Sequence, residues 1–456
     1  MLGGAVLGNL GSSILRAAEV PPSSSPTAFS AEGNDLPKPS ARQLAWQDCE
    51  LGMFFHFDIP VFKPGWDWRS WKDMPQPNDY NPAKLNTDQW LEAARSMGAK
   101  YAVFVAKHCS GFLQWQSDCY PYGVRQSAWR GGKGDVLGDF VASCHKYGIK
   151  PGIYASVTAN GYLEVDNPGL VNRGKGGDEK KQAAYVKTCE RMLTELWSRY
   201  GEMFQIWFDG GALPPEKGGP NMLPILEKYQ PKANVCQGPN ATNRFGTSEA
   251  GVVPYPYWNT VNKREGCDWT SGDPNGKIWI PGEACSPMPG HAWFWFPDQN
   301  TKIEPLGQLM DMYYRSVGHG CNLLLNATPG PDGLIPEPNM RHYADFGKEI
   351  RRRFEKPLAG TQGEGATLEL TLPKPSKIDH AIIMEDIAQG QRVRKYDLEG
   401  LVGGDKWQKL CDGDSIGHKR IQKFPAVEVA KVRFHATQAA AMPKIRRMEV
   451  FCVDAT

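Results

Sequence analysis

Residues 203–211, MFQIWFDGG, decide how the rest of the chain is read. Phe204, Ile206, Trp207 and Phe208 favour extended backbone, and a mostly apolar run of this kind reads as a strand buried on both faces. The run ends in an acid, Asp209, and two glycines, which stop the strand and let a backbone or ligand approach closely. A carboxylate at the carboxyl end of a buried strand is placed where parallel α/β barrels carry their chemistry. An acid there also serves as an ordinary turn cap, and the stretch alone leaves both readings open.

Working outward, similar apolar runs recur at residues 51–57 (LGMFFHF), 101–107 (YAVFVAK), 150–156, 233–238, 277–283 (KIWIPGE) and 321–326 (CNLLLN), with a weak sixth strand in the irregular segment carrying Arg244 and Glu249. Helical spacing falls between them. Asn86 caps a helix with Gln89 three residues on, and Gly98 ends it. Further helices are expected at 136–147, 178–200, 222–229, 305–317 and 337–354. Eight strands alternating with helices predict an α/β fold, a (β/α)8 TIM-like barrel over residues 41–355. After Lys356 the texture changes to short strands separated by Gly, Pro and Asp turns. This predicts a C-terminal β-sandwich over 356–456.

A chain of 456 residues suits a large barrel plus a smaller module. Net charge is +2, which gives no electrostatic case for nucleic acid. Eleven cysteines occur singly, without a CxxC pair, so zinc ribbons and redox motifs are unsupported. No stretch is apolar enough for a membrane span. Residues 1–40 open with small and apolar residues and become Pro/Ser-rich. They are expected to hold the remnant of a secretory signal and a linker, which implies a secreted or periplasmic protein.

Several strand ends carry polar side chains: His56, His108, Asp209, Glu249 and Glu283. In a barrel they converge on one pocket, rimmed by Trp66, Trp68, Trp207, Trp293 and Trp295. Two carboxylates over aromatic surfaces is what glycoside cleavage needs: one ionised to attack, the other protonated to release the leaving oxygen. The HExxH spacing is absent, so neither metal nor cofactor is expected.

Four ordered blocks carry a resemblance: GMFFHF, AKHCSGFLQWQSD, WFDGG and CNLLLNATPGPDG. Together they resemble the retaining α-L-fucosidases of glycoside hydrolase family 29. GTSEAG and HAWFWF look closer to the branch that includes plant and α-1,3/1,4-specific enzymes. The resemblance implies a fucose- or L-galactose-containing glycan as partner. It implies Asp209 as nucleophile and Glu249 as acid/base, with Glu283 as runner-up or a contact to the aglycone. His56, Asp67 and His108 match sugar ligands. Trp68, Tyr154, Trp207, Arg244 and Trp295 are further pocket candidates.

Three positions depart from the pattern. Cys109 and Ser110 stand where the family has His and Asp, and Asp58 stands where it has Gly. Cysteine is a poor hydrogen-bond partner, so a sugar contact is expected to be lost or replaced. The rival readings are therefore an enzyme for α-L-galactosides or modified fucosides on the same fold, an inactive carbohydrate-binding protein, and a structural surface protein.

Overall fold

The computed structural model describes residues 35–67, 71–172, 178–211 and 213–454. The signal-like stretch, residues 1–34, and Trp68 lie outside them. Eight parallel strands form the central sheet: β1 Leu51–Phe55, β2 Tyr101–Lys107, β3 Lys150–Ala155, β4 Gln205–Trp207, β5 Asn234–Cys236, β6 Arg244–Phe245, β7 Gly282–Ser286 and β8 Asn322–Ala327. Their order is β5-β4-β3-β2-β1-β8-β7-β6. A parallel bridge between Cys236 and Asn243 brings the two edges together, so the barrel is nearly closed.

Side-chain alternation sorts this barrel into an inside and an outside. Phe54, Tyr101, Val103, Val105, Tyr154, Trp207, Cys285 and Leu324 fill the interior. Their sequence neighbours Met53, Phe55, Ala102, Phe104, Ile153, Ile206, Ala284 and Leu323 pack outward. The outer layer meets helices at Thr87–Met97, Val136–Tyr147, Glu179–Arg199, Leu306–Arg315 and Glu337–Phe354. Asn86 caps the first of these by accepting from Asp88 N at 3.0 Å, and Gly98 ends it at φ 97°. Gln89 plays no part in the cap; its amide pairs with the backbone of Ile335 instead.

The expected seventh strand is divided. Ile278–Trp279 pairs antiparallel with Thr260–Val261, outside the barrel sheet. Pro281, without an N–H, separates it from β7, whose small residues GEACS carry little strand signature.

The C-terminal module is an antiparallel sheet of six strands: β9 Ala359–Glu364, β10 Thr367–Glu385, β11 Val393–Val402, β12 Lys406–Gly413, β13 Arg420–Ala439 and β14 Lys444–Phe451. Two runs, residues 367–372 and 380–385, lie on one long strand, β10. Its register with β13 breaks between Thr371 and Ser376, where Pro373 and Pro375 cannot donate to a ladder. Ala381 and Ile383 face the module's own core, while Ile382, Met384, Ile421 and Phe451 join the barrel's. Polar contacts complete the docking. Glu50 pairs with His418 at 3.1 Å and with Lys419, and Asp48 pairs with Arg446 at 3.1 Å.

Candidate active site

The site lies at the carboxyl ends of β1 to β4 and on the loops facing them. Asp209 follows β4 after Phe208. Gly210 and Gly211 turn the chain away at φ 64° and 77°, a region in which a side chain is strained. Tyr154, near the end of β3, donates its hydroxyl to Asp209 Oδ2 at 2.9 Å. Thr158 donates to the Asp209 carbonyl at 3.0 Å. Burial raises the Asp209 pKa and Glu249 adds to the rise, while the Tyr154 hydrogen bond opposes both.

These groups line a cavity of about 350 Å³ together with Phe54, His56, His108, Cys109, Ala159, Asp166, Asn167, Trp207, Glu249, Cys285, Trp293 and Phe294. Glu249 comes from the loop after β6 and is exposed. Trp293 donates its indole N–H to Glu249 Oε2 at 3.1 Å and lies 4.9 Å from the His56 ring. The second carboxylate is thus held from the aromatic wall.

His56 has one tautomer that satisfies its neighbours. Asn326 uses its Nδ2 to donate to the Trp293 carbonyl at 2.9 Å, so its Oδ1 accepts from His56 Nδ1 at 2.7 Å. Burial lowers the His56 pKa to about 3, leaving a neutral ring whose Nε2 is an acceptor. His108 stacks on Tyr154 at 5.7 Å and 16°. A register shift between Val105 and Lys107 explains its direction. The shift reverses the alternation at the end of β2 and turns His108 inward.

Four expected site residues fall outside this cavity. Glu283 is fully buried beneath the floor, where it accepts from Tyr101 Oη at 2.6 Å, Gln205 Nε2 at 3.1 Å and Trp207 Nε1 at 2.7 Å. It cannot touch a glycan; it orients Trp207. Arg244 is also fully buried, with its guanidinium spent on the carbonyls of Trp258, Thr270 and Ile280. Trp295 packs over the Gly330 turn and against the main core. Asp67 sits exposed on the loop after β1 and does not line the cavity. Trp66, expected on the rim, donates to the Lys72 carbonyl at 3.0 Å and is likewise absent from the lining.

Of the departures from the family pattern, only Cys109 faces the cavity. Ser110 donates to Asp58 Oδ2 at 2.5 Å, and both are fully buried. A carboxylate has moved from one side of this contact to the other. Burial pushes the Asp58 carboxyl up to about 7 and the Cys109 thiol up to about 12, so the thiol is neutral.

Asp166 and Asn167 were missed. They lie on a short hairpin, Val165–Asp166 with Leu170–Val171, that reaches over the cavity. Their paired stretches are two residues each, too short for a periodic signal. Phe54 was legible: it is two positions before His56 on the same face of β1.

An acid at a barrel strand end, a second acid on a facing loop and aromatic walls define a glycoside hydrolase. The chain belongs to the α-L-fucosidase family, whose model matches residues 19–353. It is 28% identical to α-L-fucosidase 1 of Arabidopsis thaliana, over 91% of this chain and 88% of the relative. A candidate α-L-fucosidase from Bacteroides thetaiotaomicron is 41% identical and superimposes with a TM-score of 0.87, covering 92% of this chain and all of that one. A glycoside hydrolase 29 family member from a rumen bacterium is 29% identical, with a TM-score of 0.80 over 92% of this chain and 78% of its own.

Proposed function

We propose that the protein is a retaining exo-acting α-L-fucosidase that works by double displacement. Asp209 attacks the anomeric carbon, and Glu249 protonates the departing oxygen. Glu249 then takes a proton from water, which displaces Asp209 and releases the sugar with its configuration retained. Retention calls for carboxyl groups about 5–5.5 Å apart across the scissile bond. One observation carries the reading: Asp209 and Glu249 line the same cavity and act on one another electrostatically, one half-buried and the other exposed.

The surroundings suit these roles. Tyr154 stabilises the ionised nucleophile, and Trp293 holds Glu249 by its second oxygen. The neutral His56 ring and His108 offer sugar-hydroxyl contacts, and Trp207 provides the apolar floor. The N-terminal stretch extends the same proposal to export from the cytoplasm; sequencing the mature chain from culture medium tests that part.

Cys109 keeps a second substrate in play, because a neutral thiol selects weakly among sugar hydroxyls. Hydrolysis of nitrophenyl α-L-fucoside beside its α-L-galactoside tests the choice. The fucoside is expected to have the higher kcat/KM. A preference for the galactoside would move the assignment to that sugar, and no turnover of either would overturn it.

A further inference from the structure

We propose that His108, Cys109 and Asp209 form a site for a thiophilic divalent cation of the Zn2+ class, which competes with the sugar for the nucleophilic carboxylate. A ring nitrogen of His108, the sulfur of Cys109 and a carboxylate oxygen of Asp209 all lie within 4.8 Å of one another. Among the described residues no other three His, Cys, Asp or Glu side chains converge in this way. Two strand ends supply the set: His108 and Cys109 follow β2, and Asp209 follows β4.

A tetrahedral zinc ion holds nitrogen, oxygen and sulfur ligands at about 2.0–2.3 Å, which places them roughly 3.3–3.8 Å apart. The three side chains reach that spacing by closing about 1 Å, within the range of side-chain torsions. The cavity in front of them leaves a fourth position for water or a sugar hydroxyl, an open three-ligand arrangement.

Charge favours occupancy. A dication with one thiolate, one carboxylate and one neutral imidazole sums to zero, the charge that a cavity walled by Phe54, Trp207 and Phe294 tolerates best. As the metal–sulfur bond forms, the Cys109 proton leaves to solvent. Thiolate and imidazole select Zn2+ over the oxygen-seeking Mg2+ and Ca2+. A cation at this site ties up the Asp209 oxygen and occupies sugar space, so cation and substrate exclude each other.

Co2+ serves as the spectroscopic probe. Titration of the full chain is expected to give a thiolate-to-cobalt charge-transfer band that Zn2+ or L-fucose abolishes and that Cys109→Ser and Cys109→Ala lack. Cys119, Cys411 and Cys452 are partly exposed, so the band is read as the difference between wild type and variant. In the hydrolysis assay Zn2+ is expected to raise KM at constant kcat, a chelator to reverse it, and Mg2+ and Ca2+ to do nothing. Cys109→Ser is expected to need at least about tenfold more Zn2+, since even outer-shell losses cost about that much.

The hydrolysis arm rests on the role proposed for Asp209; the cobalt arm does not, so the two can fail separately. Absence of a band, or a band unchanged in both variants, overturns the site. So does Zn2+ inhibition of equal strength in wild type and Cys109→Ser. Should neither variant fold, anomalous diffraction from wild-type crystals soaked in Zn2+ decides. Density among the three side chains supports the proposal, and its absence there refutes it.

Discussion

Glu283→Gln tests whether the barrel interior sets the geometry of the site. The carboxylate sits where three donors converge: Tyr101 Oη at 2.6 Å, Trp207 Nε1 at 2.7 Å and Gln205 Nε2 at 3.1 Å from both oxygens. Glutamine preserves the shape but turns one acceptor into an NH2 donor. Trp207 has only an N–H to offer. Gln205 cannot reverse its amide freely, because its oxygen accepts from Trp46 Nε1 at 3.2 Å. The least costly placement turns the new NH2 towards Tyr101 and leaves the remaining oxygen to Trp207 and Gln205, so Tyr101 must rotate its hydroxyl to accept and its own proton loses the carboxylate it donated to. A buried unsatisfied donor costs about 1–3 kcal/mol, and losing the charged acceptor weakens the remaining bonds. The expected loss of unfolding free energy is therefore about 2–4 kcal/mol. Trp207 floors the cavity and stacks on Tyr154 at 5.7 Å, so a tilt of its ring moves the residue that holds Asp209. Misplacement by about 1 Å costs on the order of a hundredfold in rate. Urea unfolding followed by tryptophan fluorescence, with kcat/KM for nitrophenyl fucoside, checks both numbers. Wild-type stability together with wild-type kcat/KM would refute the reasoning.

Other positions give independent expectations. Glu249→Gln removes the proton donor, so kcat/KM, which reports departure of the leaving group, should fall by about 10²–10⁴ on a natural glycan and much less on a nitrophenyl glycoside, whose leaving group needs little protonation; equal losses of kcat/KM on both, measured side by side, would speak against the assignment. Glu50→Gln strips the partner from His418 and Lys419 at the barrel–sheet contact and should destabilise the protein by about 3 kcal/mol in thermal unfolding. Burial pushes the Glu50 carboxyl up, but Lys419 and His418 outweigh it and hold it at about 2. Its folded pKa is below the unfolded value, so its stabilisation is complete above about pH 4.5 and fades as pH falls towards 2; the variant should lack that part of the acid dependence.

The barrel was legible because its strands are apolar on both faces, and β2 and β4 end in side chains that chemistry needs. Beyond that, two physical causes limited the reading. The first is alternation: a strand-end residue faces inward or outward according to parity, and a local shift such as the one before Lys107 reverses it. Glu283 was placed in the pocket because its strand was taken to end there. In fact β7 begins at Gly282 and runs to Ser286, which puts Glu283 deep in the barrel. The second is that a loop has no period. Glu249, Asp166 and Asn167 come together only through the path of their loops; Glu249 was read as a strand end, and its acid/base role came from the resemblance alone. Arg244 shows the same limit: a buried cation bonded to backbone carbonyls has the same sequence signature as one that binds substrate.

Azide rescue tests the division of labour between the two acids most directly. With nitrophenyl α-L-fucoside and azide, Asp209→Gly should regain activity and release β-L-fucosyl azide, because azide attacks from the vacated nucleophile side. Glu249→Ala should release the α-azide, formed by attack on the fucosyl-enzyme. Both products are distinguished by the anomeric proton coupling in NMR spectra. The α-azide from the Asp209 variant, or full activity of that variant without azide, would contradict the account.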